Sequence, residues 1–359
     1  MSDTDAYLTP AALLYCRAGF EKDCAADLMH QAGQVGVYGY VKTVEGSGYV
    51  RFFGTDADAA VQLQRNLRFD DLIFARQLVY GLGSLVNMTP DDRLTPLLAV
   101  IRAAGVRFSE LLLETADTNE AKSLAVFLRK FALPLRKALE RDGMLGSAHL
   151  PRLHVFFISG TEAIVGYTQR SNASPWLMGI PRLKFPGGAP SRSTLKLDEA
   201  FRLFVTDPEQ TLRPGMTAVD LGAAPGGWTW QLVQRHIRTV AIDNGPLAPA
   251  LLDSGIVEHR RVDGFRYRPV KPVDWMVCDM VEQPSRIAAL VADWLAEGWC
   301  RQTIFNLKLP MKKRHEAVLI CRALIETRLD AAGAAYRLRF RQLYHDRAEI
   351  TGHAVLLDR

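Results

Sequence analysis

The residue of this chain best suited to proton transfer is a lysine at the end of an apolar segment. Lys308 stands in the sequence FNLKLP, where a buried strand should end. An amine ordinarily has a pKa of about 10.4, and burial or a neighbouring cation lowers it. Lys196 is the candidate neighbour, and Asp279 and Glu349 could hold the two ammonium groups. We therefore predict Lys308 as a general base. The alternative is a lysine that merely extends from a sheet end into solvent.

A turn of small residues, DLGAAPGGW, follows the apolar segment 217–221. Gly222, Gly226 and Gly227 have no Cβ and allow close approach of a ligand to the backbone, while Pro225 fixes φ inside the turn. The turn lacks the G-x-G-x-x-G spacing that holds a pyrophosphate. It predicts a site for an adenosyl amino acid at the carboxyl end of a parallel strand. An ordinary strand–helix connection is the alternative.

Four aspartates lie at or just after the ends of successive predicted strands. They are Asp220, Asp243, Asp263 and Asp279. Carboxylates at such positions can accept hydrogen bonds from ribose hydroxyls, an adenine amino group and an ammonium group. One of them alone would be interpreted as a cap for the next helix. Four around the glycine turn predict a cofactor pocket.

The elements that must position these residues alternate regularly in the second half of the chain. Strands are predicted at residues 217–221, 239–243, 258–262, 275–279, 303–308, 336–342 and 353–357, and helices at residues 228–238, 285–297 and 315–332. This alternation indicates an α/β fold with a parallel sheet between helices. A turn at 344–349 should join the last two strands as an antiparallel hairpin. Seven strands with such a hairpin are typical of Rossmann-like class I methyltransferases.

The first half of the chain reads as an α+β region. Strands or helices are predicted at residues 12–16, 22–32, 35–42, 49–53, 76–80, 94–104, 111–115, 121–139, 153–158 and 163–168. This half shows no catalytic constellation, so we expect it to serve recognition or structure. Residues 169–190 are rich in Asn, Ser, Pro and Gly and are interpreted as a linker.

Composition narrows the class of protein. With 359 residues the chain should form two or three domains, and 23% charged and 48% hydrophobic residues are ordinary for a soluble protein. It contains no apolar run of about 18 residues that could span a bilayer, and its polar, acidic first residues argue against a secretory signal. Its five cysteines show no metal-ligand spacing. We therefore expect a cytoplasmic protein without a membrane segment or a metal.

The basic residues are clustered, and the formal net charge is +5. No acidic residue interrupts the tract from Arg170 to Lys196, a second cluster surrounds Lys312, and three arginines alternate from Arg337 to Arg341. Converging basic tracts indicate a polyanionic partner, although any one of them could be a solvated face. The residues expected to contact RNA phosphates are Arg170, Arg182, Lys184, Arg192, Lys312 and Lys313.

Four ionisable residues of this chain resemble a catalytic set of a known enzyme family. Lys196, Asp279, Lys308 and Glu349 have the order and strand context of the Lys-Asp-Lys-Glu tetrad of FtsJ-related 2′-O-ribose RNA methyltransferases. The sequences SPWLMGIPRLKF, SRSTLKL, DLGAAPGGW and HDRAEI resemble the RlmM family of bacterial 23S rRNA cytidine 2′-O-methyltransferases. The resemblance covers essentially the whole chain.

That resemblance implies a cofactor, a substrate and a domain order. The methyl donor would be S-adenosylmethionine, and the substrate would be 23S rRNA that is naked or incompletely assembled. The expected domains are a ferredoxin-like piece (residues 1–60), a THUMP RNA-binding domain (61–168), the linker (169–190) and the methyltransferase domain (191–359). Family cofactor contacts carry over to Ser191, Ala224, Pro225, Gly226, Gly227, Asp243, Asp263 and Asp279, and the proton acceptor carries over to Lys308. Ala224 stands where many relatives are expected to have Cys, which should matter little to a backbone contact.

Three other functions agree less well with the sequence. The THUMP association alone would allow an enzyme that methylates a base nitrogen, but such enzymes commonly place an Asn/Asp-Pro-Pro-aromatic motif where this chain has DMVEQP. A non-catalytic RNA-binding module would have no reason to keep the four tetrad residues. A nicotinamide-dependent oxidoreductase would need the missing G-x-G-x-x-G motif.

Overall fold

The computed structural model describes residues 8–357. The chain divides into two compact units, Met1–Pro181 and Arg182–Arg359. Each unit is built around one seven-stranded sheet.

The first unit has an α+β architecture, as the sequence predicted. Its strands are β1 (Ala12–Tyr15), β2 (Gly39–Thr43), β3 (Tyr49–Gly54), β4 (Gln77–Leu85), β5 (Glu110–Thr115), β6 (Arg152–Phe157) and β7 (Ala163–Thr168). Its helices are α1 (Glu21–Gln34), α2 (Ala59–Asn66), α3 (Leu94–Ala103) and α4 (Lys122–Arg141). The strand order is β2-β3-β1-β4-β7-β6-β5, and of these pairs only β5–β6 is parallel.

Strand β4 joins the two halves of this sheet. Its residues 77–80 pair with β1, whereas residues 80–85 pair with β7 across an irregularity between Gly81 and Gly83. The predicted strand at 76–80 is therefore longer in the structure and is shared by both halves. The strand predicted at residues 35–42 begins only at Gly39, so its predicted start is wrong. Helix α1 continues to Gln34, and Gly36 then adopts a positive φ of 74° before β2 begins.

Much of the predicted linker packs on the first unit. The Asn172 side chain accepts a hydrogen bond from the Phe69 amide (2.7 Å) and donates one to the Leu67 carbonyl (2.7 Å). The Met178 amide donates to Glu114 at 2.7 Å, and the Met178 side chain is buried. These contacts satisfy polar groups of a segment that has little regular secondary structure.

The second unit has the predicted α/β fold. Its strands are β8 (Thr217–Leu221), β9 (Arg238–Ile242), β10 (Val257–Arg260), β11 (Val273–Cys278), β12 (Cys300–Lys308), β13 (Tyr336–Arg341) and β14 (Glu349–Leu356). Its helices are α5 (Thr194–Phe204), α6 (Pro208–Thr211), α7 (Gly227–Val233), α8 (Pro249–Leu252), α9 (Pro284–Ala296) and α10 (Arg314–Ala331). The strand order is β10-β9-β8-β11-β12-β14-β13, with β14 antiparallel to both of its neighbours and the other pairs parallel. The class I methyltransferase fold is thus confirmed.

Three differences from the predicted elements bear on the site. Strand β14 begins at Glu349, so Glu349 lies in a strand and not in the predicted turn. Helix α7 ends at Val233, earlier than predicted, because His236 takes a positive φ of 56° before β9 begins. Helix α5 was not predicted, although its apolar face packs against the sheet core around Trp275.

Candidate active site

Four elements of the second unit bring the tetrad residues together. Lys196 lies in the first turn of α5, and Asp279 directly follows β11. Lys308 ends β12 and Glu349 begins β14, and the antiparallel register places these two residues opposite each other. Because β11 and β12 are parallel neighbours, Asp279 and Lys308 emerge at the same edge of the sheet.

Each lysine of the tetrad bridges both carboxylates. The Lys308 Nζ donates to Asp279 Oδ1 at 2.9 Å and also to Glu349 Oε2. The Lys196 Nζ pairs with Glu349 Oε1 and lies 3.5 Å from Asp279 Oδ2. Glu349 is the least accessible of the four, with 8% of its side chain exposed, and Lys308 is the most accessible, with 25%. The result is a closed set of two positive and two negative charges.

This arrangement fixes the directions of two pKa shifts. Burial would raise the pKa of Glu349, but Lys196 and Lys308 outweigh burial and hold it below its ordinary value. Burial would lower the pKa of Lys308, but Asp279 and Glu349 outweigh burial and raise it. The predicted lowering of the Lys308 pKa is therefore wrong, because both carboxylates contact the amine directly.

A second layer of hydrogen bonds holds Asp279 in place. Asn306 Nδ2 donates to Asp279 Oδ1 at 2.8 Å, and Thr351 Oγ1 donates to Asn306 Oδ1 at 2.7 Å. Asn306 and Thr351 are fully buried and stand opposite each other in the β12–β14 register. Neither residue was predicted from the sequence to belong to the site. One signal was available for Asn306, since residues two apart on a strand share a face and Lys308 follows at that spacing.

The loop that leads into Glu349 is held at both of its ends. Glu199 on α5 accepts hydrogen bonds from the amides of Tyr344 (2.8 Å) and His345 (3.0 Å). Asp346 accepts one from the Leu343 amide at 2.9 Å, and its carboxyl group lies 3.1 Å from the Thr351 hydroxyl. Because Glu199 lies three residues after Lys196, one helix positions both a tetrad lysine and this loop.

A cleft of about 540 Å³ adjoins the tetrad through Asp279. Its lining includes Gly222, Ala224, Asp243, Asp263, Phe265, Asp279 and Met280. Asp243 accepts hydrogen bonds from the amides of Ala224 (3.0 Å) and Gly245 (2.7 Å), and so braces the glycine turn. Asp263 is exposed and accepts one from the Phe265 amide at 2.8 Å. A cleft of this size suits a small-molecule cofactor.

The glycine turn leaves no room for side chains. A Cβ at Gly222, where φ is 80°, would lie 2.7 Å from Met280 Cγ. A Cβ at Gly227 would lie 2.4 Å from the Ser191 hydroxyl, which itself hydrogen-bonds to Ser193 at 2.7 Å. The Ala224–Pro225 peptide is cis, and Gly226 has a φ of 116°. The turn therefore presents bare backbone beside Ser191 and the cleft, which fits the adenosyl amino acid predicted from sequence.

Asp220 lies apart from the cleft lining. Its Oδ2 accepts a hydrogen bond from the Thr229 hydroxyl at 2.6 Å, and its Oδ1 is buried without a hydrogen-bond partner. Burial raises the pKa of Asp220 to about 7. This predicted cofactor residue therefore lies on β8, and its carboxyl group links that strand to α7 through Thr229.

The six predicted RNA-contact residues are all exposed. They are Arg170, Arg182, Lys184, Arg192, Lys312 and Lys313, and two of them form ion pairs. Arg170 pairs with Glu110 at 2.8 Å, and Lys313 pairs with Glu316 at 3.2 Å.

The third basic tract is not the single exposed face that its alternation suggested. Arg341 is buried, with 6% of its surface exposed. The Arg339 guanidinium donates to the Phe204 carbonyl and stacks over the Phe204 ring, 5.3 Å from its centroid. Arg339 and Arg341 therefore serve the packing of this unit, and the expectation of a polyanion surface here is wrong.

Within residues 8–357, no three or more His, Cys, Asp or Glu side chains are grouped so that they could hold a metal ion. Every helix in the same range falls short of the length or the apolar character that crossing a membrane requires.

Comparison with known proteins defines the class of the second unit. The model of the FtsJ-like methyltransferase family matches residues 189–340, the range that carries the cleft and most of the tetrad. The RlmM ferredoxin-like domain matches residues 10–79, and the N-terminal domain of ribosomal RNA large subunit methyltransferase M matches residues 92–169. The chain thus combines an FtsJ-like methyltransferase unit with an N-terminal ferredoxin-like part.

Full-length relatives give the particular family. Ribosomal RNA large subunit methyltransferase M of Methylococcus capsulatus is 60% identical over 96% of this chain and 98% of its own length. The protein of the same name from Klebsiella pneumoniae is 51% identical over 95% of each chain. This chain belongs to the ribosomal RNA large subunit methyltransferase M family.

Proposed function

We propose that this chain transfers a methyl group from S-adenosylmethionine to the 2′-hydroxyl of a cytidine in 23S rRNA. The name of its relatives supports large-subunit rRNA as the substrate class. One observation supports the ribose hydroxyl as the acceptor: Lys308 lies between two carboxylates, one of which, Asp279, also lines the cleft. Asp279 therefore contacts the proposed proton acceptor and also lines the proposed cofactor pocket.

The cleft residues would hold the cofactor, which supplies an electrophilic methyl group on a sulfonium. Asp243 and Asp263, at the ends of neighbouring strands, would accept hydrogen bonds from its hydroxyl and amino groups. The backbone of residues 224–227 and the Ser191 hydroxyl would line its other side. Asp279 would face both this pocket and Lys308.

Lys308 would take the proton of the ribose hydroxyl at its Nζ. It must first lose its own proton to solvent, and the raised pKa makes the neutral amine a minor form near pH 7. Asp279 and Glu349 fix the direction of the amine, and Lys196 supplies a positive charge beside the reacting oxygen. A positioned general base contributes about 10²–10⁴-fold to the rate.

The RNA would bind through exposed cations near the methyltransferase unit. Arg182, Lys184, Arg192 and Lys312 are accessible to phosphates, whereas Arg170 and Lys313 would exchange their carboxylate partners for them. Sequence-specific RNA recognition needs unstacked bases, so we propose naked or incompletely assembled 23S rRNA as the substrate. We place the activity in the cytoplasm, where the five unpaired cysteines would stay reduced. The four domain ranges given above remain a prediction.

The test is methyl transfer from labelled S-adenosylmethionine to unmodified 23S rRNA, followed by mapping of the labelled nucleotide. Label in 2′-O-methylcytidine is the expected result. Label on a base would refute the role of Lys308 and favour a base methyltransferase. Cofactor binding without transfer to this RNA would contradict the proposed substrate and favour a non-catalytic RNA-binding role.

A further inference from the structure

An aromatic and basic surface lies on the edge strand of the first unit. Tyr38 and Tyr40 are 65% and 45% exposed, although large aromatic side chains are ordinarily better covered. Strand β2, which contains Tyr40, stands at one edge of the seven-stranded sheet. Tyr38 continues its line, since the Tyr38 carbonyl accepts a hydrogen bond from the Thr55 amide at 3.0 Å.

Strand geometry gathers these side chains on one face of the sheet. Tyr38, Tyr40 and Lys42 are two residues apart, so they point to the same side. The register places Phe53 opposite Tyr40 and Arg51 opposite Lys42. The rings of Tyr40 and Phe53 stack with centroids 5.2 Å apart and planes 18° apart. Because Phe53 is buried, it holds the half-exposed Tyr40 ring in a fixed orientation.

Two cations accompany the rings. The Lys42 Nζ lies 5.7 Å from the Tyr40 centroid and 5.3 Å from the Phe53 centroid. Arg51 occupies the directly opposite position on β3, so two positively charged side chains adjoin the aromatic rings. The phosphates of a ligand could contact these cations, and its flat apolar groups could stack on the tyrosines.

A small cleft of about 300 Å³ continues this surface. Its lining includes Tyr40, Phe53, Pro10 and Asp56. The volume is at the lower end of ligand pockets. An unstacked base would find an aromatic wall there, and the Asp56 carboxylate could accept a hydrogen bond from an exocyclic amino group.

We propose that this surface, formed by Tyr38, Tyr40, Lys42, Arg51 and Phe53, binds single-stranded RNA. The tyrosines stack on bases and the two cations contact phosphates, the combination by which proteins hold single strands. The proposal rests on RNA being the substrate, and it adds a contact surface in the first unit that is separate from the basic residues of the second. A protein ligand is the less suitable occupant, because the two cations at the surface would have to be desolvated.

The experiment measures binding of a fluorescein-labelled single-stranded RNA of about ten nucleotides to the full-length chain over a salt series. We expect Tyr40→Ala to weaken binding about 5- to 100-fold without changing the salt dependence, because stacking is not ionic. Tyr40→Phe keeps the ring and should bind like the unchanged chain. Lys42→Gln should lower the slope of log affinity against log salt by about 0.7. Leu133→Ala, at an exposed position of α4, is the matched control.

Several outcomes would overturn the proposal. One is equal RNA binding by the Tyr38→Ala/Tyr40→Ala double variant and the unchanged chain. Another is an equal loss of RNA affinity in Tyr40→Phe and Tyr40→Ala, since Tyr40→Phe keeps the ring that stacking requires. If the double variant binds RNA normally but binds a protein-containing ribosomal precursor more weakly, the surface takes a protein and the RNA proposal fails.

Methyl transfer to 23S rRNA, measured on the same preparations, separates this proposal from the proposed function. Tyrosine-dependent RNA binding without methyl transfer would leave the surface standing and refute the function. Methyl transfer together with RNA binding that does not depend on the tyrosines would support the proposed function and refute the RNA-binding surface.

Discussion

Lys308 and Glu349 occupy directly opposite positions of the antiparallel pair formed by β12 and β14. They are 41 residues apart in the chain, and this pairing alone brings the amine onto the carboxylate. A shift of register by one residue would turn Glu349 to the other face of the sheet. The buried pair of Asn306 and Thr351 lies in the same register, which makes such a shift costly.

The first prediction concerns Lys308 itself. Lys308→Ala removes the proton acceptor, so methyl transfer should fall by about 10²–10⁴-fold. Cofactor affinity, measured by titration calorimetry, should change only a few-fold because Asp279 and the glycine turn remain. Lys271→Ala, an exposed lysine of the same unit, should have little effect on either quantity. Unchanged turnover in Lys308→Ala would eliminate this residue as the base.

The second prediction is a pH profile. Since Asp279 and Glu349 raise the pKa of Lys308, the single-turnover rate should increase with pH from neutrality into the alkaline range, by up to tenfold per pH unit. Glu349→Gln removes one of these carboxylates, so the midpoint of the profile should move to lower pH even though the maximal rate falls. A midpoint that stays in place in Glu349→Gln would show that another group titrates.

The third prediction concerns Asn306 and Thr351, the buried pair that holds Asp279 in place. Asn306→Ala leaves the Thr351 hydroxyl and Asp279 without their shared partner, at a cost of about 1–3 kcal/mol in the free energy of unfolding. Thr351→Val removes the hydroxyl with little change in shape. If the two residues act as one unit, the double variant should be less destabilised than the sum of the single variants, by about 0.5–3 kcal/mol. Additive losses would mean that Asn306 orients Asp279 independently of Thr351.

The strands and the position of Lys308 were accessible from sequence because they follow local patterns, whereas the family resemblance grouped Lys308 with the other three tetrad residues. Apolar segments between helices predicted the seven strands of the second unit, and Lys308 was recognisable at the end of one of them. The direction of its pKa shift was not accessible. It depends on the distance from the amine to Asp279 and Glu349, which the register between distant strands determines.

Two other errors have the same origin in long-range packing. The polar segment before Glu349 resembles a turn, yet pairing with β12 extends β14 back to that residue. The arginines at 339 and 341 alternate as a solvated face would, yet Arg341 is buried and Arg339 packs on Phe204 of α5. Local pattern does not reveal which neighbour covers a face.

The last prediction concerns Asp220, whose carboxyl group is fully buried. Burial raises its pKa in the folded chain to about 7, whereas in the unfolded chain it should be about 3.9. Since the folded state holds the proton more tightly, ionisation of Asp220 destabilises the fold progressively as pH rises from about 4 to about 7. The full cost, reached above that range, is about 4 kcal/mol.

Asp220→Asn cannot ionise and can still accept the hydrogen bond from Thr229. It should therefore increase the free energy of unfolding more at pH 8 than at pH 5, by about 2–3 kcal/mol. Denaturant unfolding followed by tryptophan fluorescence would measure this, since five of the six tryptophans lie in the second unit. Asp253→Asn, at an exposed position, should show no such difference between the two pH values. If Asp220→Asn changed the free energy of unfolding equally at pH 5 and pH 8, Asp220 would have to ionise at an ordinary pH in the folded chain.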